Sequence, residues 1–386
     1  MRIVFLNRRF CPGEAWTNRI LAYARGLSEQ QIEVELLYLI PDKNRTPYHI
    51  DIPGVTVVNL FEKDGWLAKR NRYISLLINF IRAIWFLRKR ECAFVYADGS
   101  EKWLLRMAFF SRVKVFTEIT EHPFLTHHLY KKDREYVNHD LPRKYMARLK
   151  KASAVFVISE PLRKLFIENG LDKDKVHVVN MFVDTSRFDN LQKKPTEKYI
   201  AYCGTVSSYK DGVDLLIRAF AVFCKGNADY KLYIIGSFNS SQGEITIKQL
   251  VKQLDIEEKV VFTGKVSFKE IPQLLFDAEM MALARPNNLQ ARYGFPTKLG
   301  EYLATGNPVV VTTVGDIPKF IEDKKNGLLA APDDINSFAE KMLWVAEHPE
   351  EAKKIGNEGR LLCQKEFLYK TQCQVLLDVM WEATMK

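Results

Sequence analysis

The sequence predicts an α/β protein made of two Rossmann-like, doubly wound parallel-sheet domains. Short apolar runs alternate with amphipathic stretches along the whole chain, the pattern of parallel strands joined by crossover helices. The rhythm breaks at a polar, proline-containing stretch, 191–198, and then restarts. A length of 386 residues is enough for two hydrophobic cores of ordinary size.

Taken in order, the strand-like runs of the first half are 3–6, 34–39, 55–58, 94–96, 113–116 and 154–158. They are near-continuously apolar, as strands covered on both faces require. Between the first two, the stretch 15–27 sets Ile20, Leu21, Ala24 and Leu27 on one helical face. After the polar stretch come strands at 199–203, 232–235, 260–262, 280–284 and 309–312, with a helix over 213–223. The expected domains are therefore 1–190 and 195–366. Ligands of such sheets bind beyond the C-terminal ends of the strands, so two facing domains would hold a ligand between them.

Composition narrows the class. With 47% hydrophobic and 27% charged residues, the chain is neither disordered nor fibrous. Its six cysteines are scattered, with no pair at redox or metal-ligand spacing, which reads as a reduced compartment. The N-terminal apolar run is too short for a signal peptide, and no run reaches the roughly 18 residues of a spanning helix. A cytoplasmic protein is expected. The net charge of +10 belongs wholly to residues 1–190, the remainder being balanced. It gathers in 65–90, where Lys69, Arg70, Arg72, Arg82, Arg88, Lys89 and Arg90 stand without an acid among aromatic and aliphatic residues, and again in 131–151. Such a segment either lies in an anionic membrane interface or is a crossover helix with its apolar side in the core. No nucleic-acid recognition module accompanies the charge, so nucleic acid is not an expected partner.

Three segments carry candidate chemistry. In Gly294-Phe295-Pro296-Thr297-Lys298-Leu299-Gly300-Glu301, a Gly-Phe-Pro turn opens a short helix that Gly306 closes. The amides of Thr297, Lys298 and Leu299 would face an anion such as phosphate, and Glu301, one turn on, could accept hydrogen bonds from sugar hydroxyls. An ordinary capped helix with a solvated glutamate fits the same spacing. In Tyr202-Cys203-Gly204-Thr205 and the following loop, Gly204 permits close backbone approach and Lys210 supplies a point charge for a diphosphate. The Gly-Lys-Ser/Thr spacing of a Walker loop is missing, and a plain strand-to-helix loop is the alternative. In the first half, Asn7 to Glu14 joins the first strand to the first helix and contains Gly13.

Together these segments resemble the retaining nucleotide-sugar glycosyltransferases of family four, the group 1 glycosyltransferases of GT-B fold. Gly204, Lys210 and Gly212 are similar to that family's Gly-Arg loop with its following Lys-Gly. The block from Glu301 through Ala304, Gly306 and Pro308 to Val310 is similar to its Glu motif. Val183-Asp184 with Phe188, Thr263-Gly264-Lys265-Val266, Val314-Gly315-Asp316-Ile317 and Asn326-Gly327-Leu328 follow in the family's order. The resemblance implies that Lys210 neutralises the donor diphosphate and that amides at Thr297, Lys298 and Leu299 hold it. Glu301 would bind ribose, the backbone of Lys265 and Val266 would frame the base, and Gly13 would touch the diphosphate from the other domain. His122, in Phe116-Thr117-Glu118-Ile119-Thr120-Glu121-His122-Pro123, would lie near the transferred sugar.

Two positions depart from the family. Tyr293 replaces its first motif glutamate, and Thr205 replaces its loop arginine beside Gly204. Arg285 is the substitute cation, and Gln290 the substitute sugar contact. Asp172-Lys173-Asp174 has the form of a metal-binding Asp-x-Asp but follows Asn169-Gly170, a helix-ending signal, and reads as a turn. His127 and His128 have no acidic or cysteine partner at ligand spacing. No metal or cofactor is expected, so Lys210, Arg285 and helix amides would stabilise the departing diphosphate. The expected activity is retaining, metal-independent transfer of a sugar to a saccharide or lipid-linked acceptor in surface polysaccharide assembly. The expected site is the cytoplasm, peripheral on the inner face of a membrane. A nucleotide-sugar epimerase and a non-catalytic nucleotide-sugar-binding protein are the alternatives. The resemblance also implies that the last segment, 367–386, crosses back to the first domain.

Overall fold

A computed structural model describes residues 2–11, 15–41, 44, 46–89, 94–99, 101–126, 141–194 and 197–385, the side chains of 15, 72 and 384 excepted. Gly13, His127, His128, Arg90 and residues 131–140 of the second basic stretch lie outside the described residues.

The apolar runs of the first half become β1 (Arg2–Asn7), β2 (Glu33–Tyr38), β3 (Val55–Asn59), β4 (Phe94–Asp98), β5 (Lys114–Ile119) and β6 (Ala154–Val157). With β7 (Val176–Val178) they form a parallel sheet in the order β3-β2-β1-β4-β5-β6-β7. The central strand is buried on both faces, with Phe5 opposite Leu36 on one side and Tyr96 on the other. That double burial is why these runs are continuous rather than alternating. The second half gives β8 (Lys198–Cys203), β9 (Tyr230–Ile235), β10 (Val260–Gly264), β11 (Met280–Leu283), β12 (Val309–Thr312) and β13 (Leu328–Ala330). Their order is β10-β9-β8-β11-β12-β13, again parallel. The sequence reading lacks β7 and β13. Each is three residues long and lies at a sheet edge, too short to show a period.

The chain forms two compact units, Met1–Asn180 with Tyr369–Lys386, and Met181–Leu368. The second unit begins ahead of the polar stretch 191–198. That stretch is fastened to the second unit, because the Lys194 amide donates to Asp277 Oδ1 at 2.8 Å and Lys193 pairs with Glu279 at 2.9 Å. The first unit's hold ends at Asn180, whose carbonyl accepts from Arg19 Nη1 (3.1 Å) and whose amide donates to Gln372 Oε1 (2.9 Å).

The helix Tyr369–Met385 packs on the helix Ala15–Glu29 of the first unit. Gly26 makes that contact possible, since a Cβ there would lie 2.5 Å from Cys373 Sγ. Beneath it lies a buried charge cluster, with Arg19 Nε donating to Glu118 Oε1 at 2.8 Å and the Tyr23 hydroxyl to the same oxygen at 3.1 Å.

Candidate functional site

In the second unit, the C-terminal end of β8 collects most of the charged groups singled out in the sequence. The strand β8 stops at Cys203, and a loop begins at Gly204, whose φ is positive. Here Ser207 accepts from the Lys210 amide (3.2 Å) and caps the short helix Ser208–Asp211. Gly212 then turns the chain at φ +63° into the helix Val213–Phe223. A Cβ at Gly212 would lie 1.9 Å from the Ala284 carbonyl oxygen, so only glycine lets this loop close onto the end of β11.

The turn brings Asp211 inward, to 2% exposed. Its carboxylate pairs with Lys298 and lies 2.9 Å from the Tyr202 hydroxyl. Burial alone would push the Asp211 carboxyl up, but Lys298, Arg285 and the Tyr202 hydrogen bond outweigh it and hold it below its ordinary range. Burial lowers the Lys298 ammonium, and the Asp211 charge only partly offsets this because Arg285 and Lys210 oppose it. Lys298 and Arg285 thus act on one carboxylate, and Lys210 stands close enough to oppose the Lys298 charge, an arrangement with surplus positive charge. Arg285 is 3% exposed and is steered by an Nη2 contact to the Gln290 carbonyl at 3.4 Å. Lys210 is exposed.

Glu301 lies on the helix Lys298–Ala304. That helix is tied to β8 through Tyr302, whose hydroxyl accepts from the Cys203 amide (2.6 Å) and donates to the Cys203 carbonyl (3.1 Å). Glu301 Oε1 is paired with Arg187, whose guanidinium also donates to the Phe268 carbonyl at 3.0 Å and lies 3.7 Å above the Phe268 ring. Burial, with the Glu301 charge, pushes the Cys203 thiol up to about 12.

Several expectations change here. The Leu299 amide is not open to an anion, because it donates to the Pro296 carbonyl at 3.0 Å; the turn is already closed at Pro296. Lys298 adds a group the amide reading did not include, its side chain, which pairs with Asp211. Glu301 is not a solvated charge, and its first partner is Arg187. Thr205 is exposed, as is Lys265, while Val266 is half-buried just beyond β10. Thr297 is exposed and starts the helix without a side-chain cap. Tyr293 is half-buried at the end of the helix Leu289–Tyr293. Arg187 and Asp211 were missed as site residues. Arg187 lies 114 positions from Glu301 in the chain, and no spacing rule links residues that far apart.

In the first unit, His122 follows β5 and is fully buried. Its ring stacks on Phe124 at 5.2 Å, and Nδ1 accepts from the Phe124 amide at 3.3 Å. Asp172 caps the turn Lys173–Lys175 by accepting from the Asp174 amide at 3.0 Å, the role read from the sequence. Among the described residues no group of three or more His, Cys, Asp or Glu side chains is placed to hold a metal ion. No helix among them is long and apolar enough to cross a membrane.

Two doubly wound parallel sheets in one chain define the GT-B class of α/β protein. The chain belongs to the group 1 glycosyltransferases: the family described as glycosyl transferases group 1 matches residues 183–362, and glycosyltransferase family 4 matches residues 17–187. It is similar to mannosylfructose-phosphate synthase of Agrobacterium fabrum, with 26% identity over 237 residues, 57% of this chain and 51% of that protein. The O-antigen chain mannosyltransferase of Salmonella typhimurium is 28% identical over 204 residues, 52% of each. The chain spans about half the length of the curated relatives it matches. The crystal structure of Anabaena HepE with UDP and glucose has the same fold, with a TM-score of 0.71 at 17% identity over 99% of this chain and 100% of that one.

Proposed function

We propose that the protein transfers a sugar, with retention of configuration and without a metal, from a nucleoside diphosphate sugar to a saccharide or lipid-linked acceptor in surface polysaccharide assembly. The observation that carries the reading is the pairing of the buried Asp211 carboxylate with Lys298, with Arg285 acting on the same carboxylate and Lys210 close enough to oppose the Lys298 charge. The surplus positive charge suits a diphosphate, whose leaving-group charge grows during transfer. Glu301 accepts from the ribose hydroxyls, and the backbone at Lys265 and Val266 frames the base. Arg187 orients the Glu301 carboxylate. His122 lies against the transferred sugar. No protein nucleophile is invoked: the leaving diphosphate oxygen assists deprotonation of the acceptor, which attacks on the face the leaving group vacates. The O-antigen relative supports the polysaccharide role, and the UDP in the HepE complex supports the donor class. Cytoplasmic residence belongs to the same reading.

A panel of nucleoside diphosphate sugars, screened by thermal unfolding in EDTA, tests it. One donor should raise the melting temperature, since a ligand at a hundredfold its Kd stabilises by about 2.7 kcal/mol. With that donor and an acceptor in hand, the product's anomeric configuration should match the donor's. A panel with no shift and no hydrolysis removes the donor-site reading. A new nucleotide sugar formed without acceptor means an epimerase, and binding without any turnover means a non-catalytic binder, as Tyr293 and Thr205 would favour.

A further inference from the structure

The helix Arg72–Lys89 of the first unit buries polar groups on part of its inward face and exposes large apolar ones outward. Its inward face begins with two polar residues, Ser75 and Asn79, both fully buried, and continues with Ala83 and Leu87. Their polar atoms are satisfied by Asp64, itself buried: Ser75 Oγ donates to Oδ2 at 2.5 Å, and Asn79 Nδ2 and Arg82 Nη1 donate to Oδ1 at 3.0 Å. The outward face is apolar. Tyr73, Leu77, Ile81 and Trp85, four residues apart, are 62–83% exposed. A crossover helix that served only the core would have the opposite polarity.

The apolar face does not stop at this helix. The preceding helix, Trp66–Arg70, exposes Trp66 and Leu67. The helix Lys102–Phe110 exposes Trp103 and Phe110, and Arg88 reaches its last carbonyl, with Nη2 donating to Phe110 O at 2.7 Å. Each of these three tryptophans carries a cation over its ring: Arg70 over Trp66 (5.6 Å), Lys89 over Trp85 (4.6 Å) and Arg106 over Trp103 (5.3 Å). No acid occurs from 65 to 89. Eight large apolar side chains this exposed on three helices, each in contact with the next, are unusual on a surface that no partner covers.

We propose that these three helices seat the protein on an anionic lipid bilayer, with the tryptophans and the Leu77–Ile81 face at the acyl boundary and the ring-bound cations at the headgroups. Indole rings with adjoining cations match the headgroup level, where an amphipathic side chain is wet at one end and apolar at the other. The basic rim selects the occupant. A symmetric second copy would press this face against its own equal and so oppose like charges, whereas an anionic bilayer complements them. The helix is about 27 Å long and lies on the surface instead of crossing it. The seat does not rest on the donor reading, though it would bring a lipid-linked acceptor within reach.

Co-sedimentation with vesicles of phosphatidylcholine, with and without phosphatidylglycerol, is the test. The protein should bind the anionic vesicles, bind neutral ones far more weakly, and lose affinity as salt rises. Leu77→Ser, Ile81→Ser and Trp85→Ser together should lower partitioning by about tenfold or more. Lys69→Gln, Arg70→Gln and Lys89→Gln should each cost about fivefold on anionic vesicles only. All six positions are exposed, so the serine variant and each glutamine variant should keep the parent's melting temperature and its response to the nucleotide sugar panel. Unchanged vesicle binding by the serine variant, or equal binding of the parent to both vesicle types, overturns the proposal. So does a parent that binds neither vesicle but sediments as a dimer that the serine variant dissociates, since a second copy would then cover the face.

Discussion

Asp211→Asn removes the one negative charge among Lys298, Arg285 and Lys210 while keeping the size of the side chain. Lys298 is left as a buried cation facing two others, the situation in which breaking a buried pair costs about 3–5 kcal/mol. The carboxamide still reaches the Tyr202 hydroxyl, which favours the lower figure. For a unit of this size, about 3 kcal/mol corresponds to roughly 6–12 °C in the melting transition. Scanning calorimetry at neutral pH should resolve that loss in the transition of the second unit. The sign with pH is fixed by the direction of the shift. Because the Asp211 carboxyl sits below its ordinary value, its contribution is complete above the unfolded value of about 3.9 and is lost as pH falls through the depressed folded value. The gap between parent and variant should therefore close in acid and stay constant from pH 6 to about 8. Adding Lys298→Met removes the stranded cation, so the double variant should melt above Asp211→Asn alone. Pyrophosphate should stabilise the single variant more than the parent. A variant that melts within about 1 °C of the parent at neutral pH, or a double variant whose losses simply add, refutes the account.

Glu301→Gln weakens the acceptor offered to ribose. Calorimetry should show the nucleoside diphosphate losing about tenfold or more in affinity while the deoxyribose analogue is little changed, the scale of a hydrogen bond to a charged group. Arg187→Ala should produce a smaller loss in the same direction, because Glu301 then loses its orienting partner. His122→Phe preserves stacking on Phe124 but not the Nδ1 contact. Turnover should fall at least about tenfold with donor affinity unchanged, in steady-state rates and calorimetry respectively. Arg19→Met strands the fully buried Glu118 in the first unit and should lower that unit's stability by about 3–5 kcal/mol, read from its own calorimetric transition.

Most of the fold was legible. Eleven strand-like runs in the sequence correspond to β1–β6 and β8–β12, because a parallel strand covered on both faces must be apolar along its length. The helices over 15–27 and 213–223 were legible for a similar reason, a periodic face over several turns. The edge strands β7 and β13 were not, since three residues hold no period. The helix Arg72–Lys89 misleads in a different way: its composition is amphipathic, but composition does not say which side faces in. Asp64 decides that, and it becomes informative only once the fold carries it beneath Ser75 and Asn79.

The site divides along the same line. The Glu301 block and the Gly204–Gly212 loop are local motifs, readable because each is a contiguous turn whose backbone demands glycine or proline. By itself the sequence therefore determined the doubly wound class, the restart of the second unit's strands, the concentration of basic charge in the first half and the segments that meet at β8. Tertiary structure alone decided that the Lys298 side chain pairs with Asp211, that Leu299 has spent its amide, and that Arg187 grips Glu301. It also decided that the apolar side of Arg72–Lys89 faces outward. The physical reason is the same in each case. Backbone propensity and apolar periodicity act over a few residues, whereas charge pairing and the choice of buried face depend on groups that only the sheet brings together.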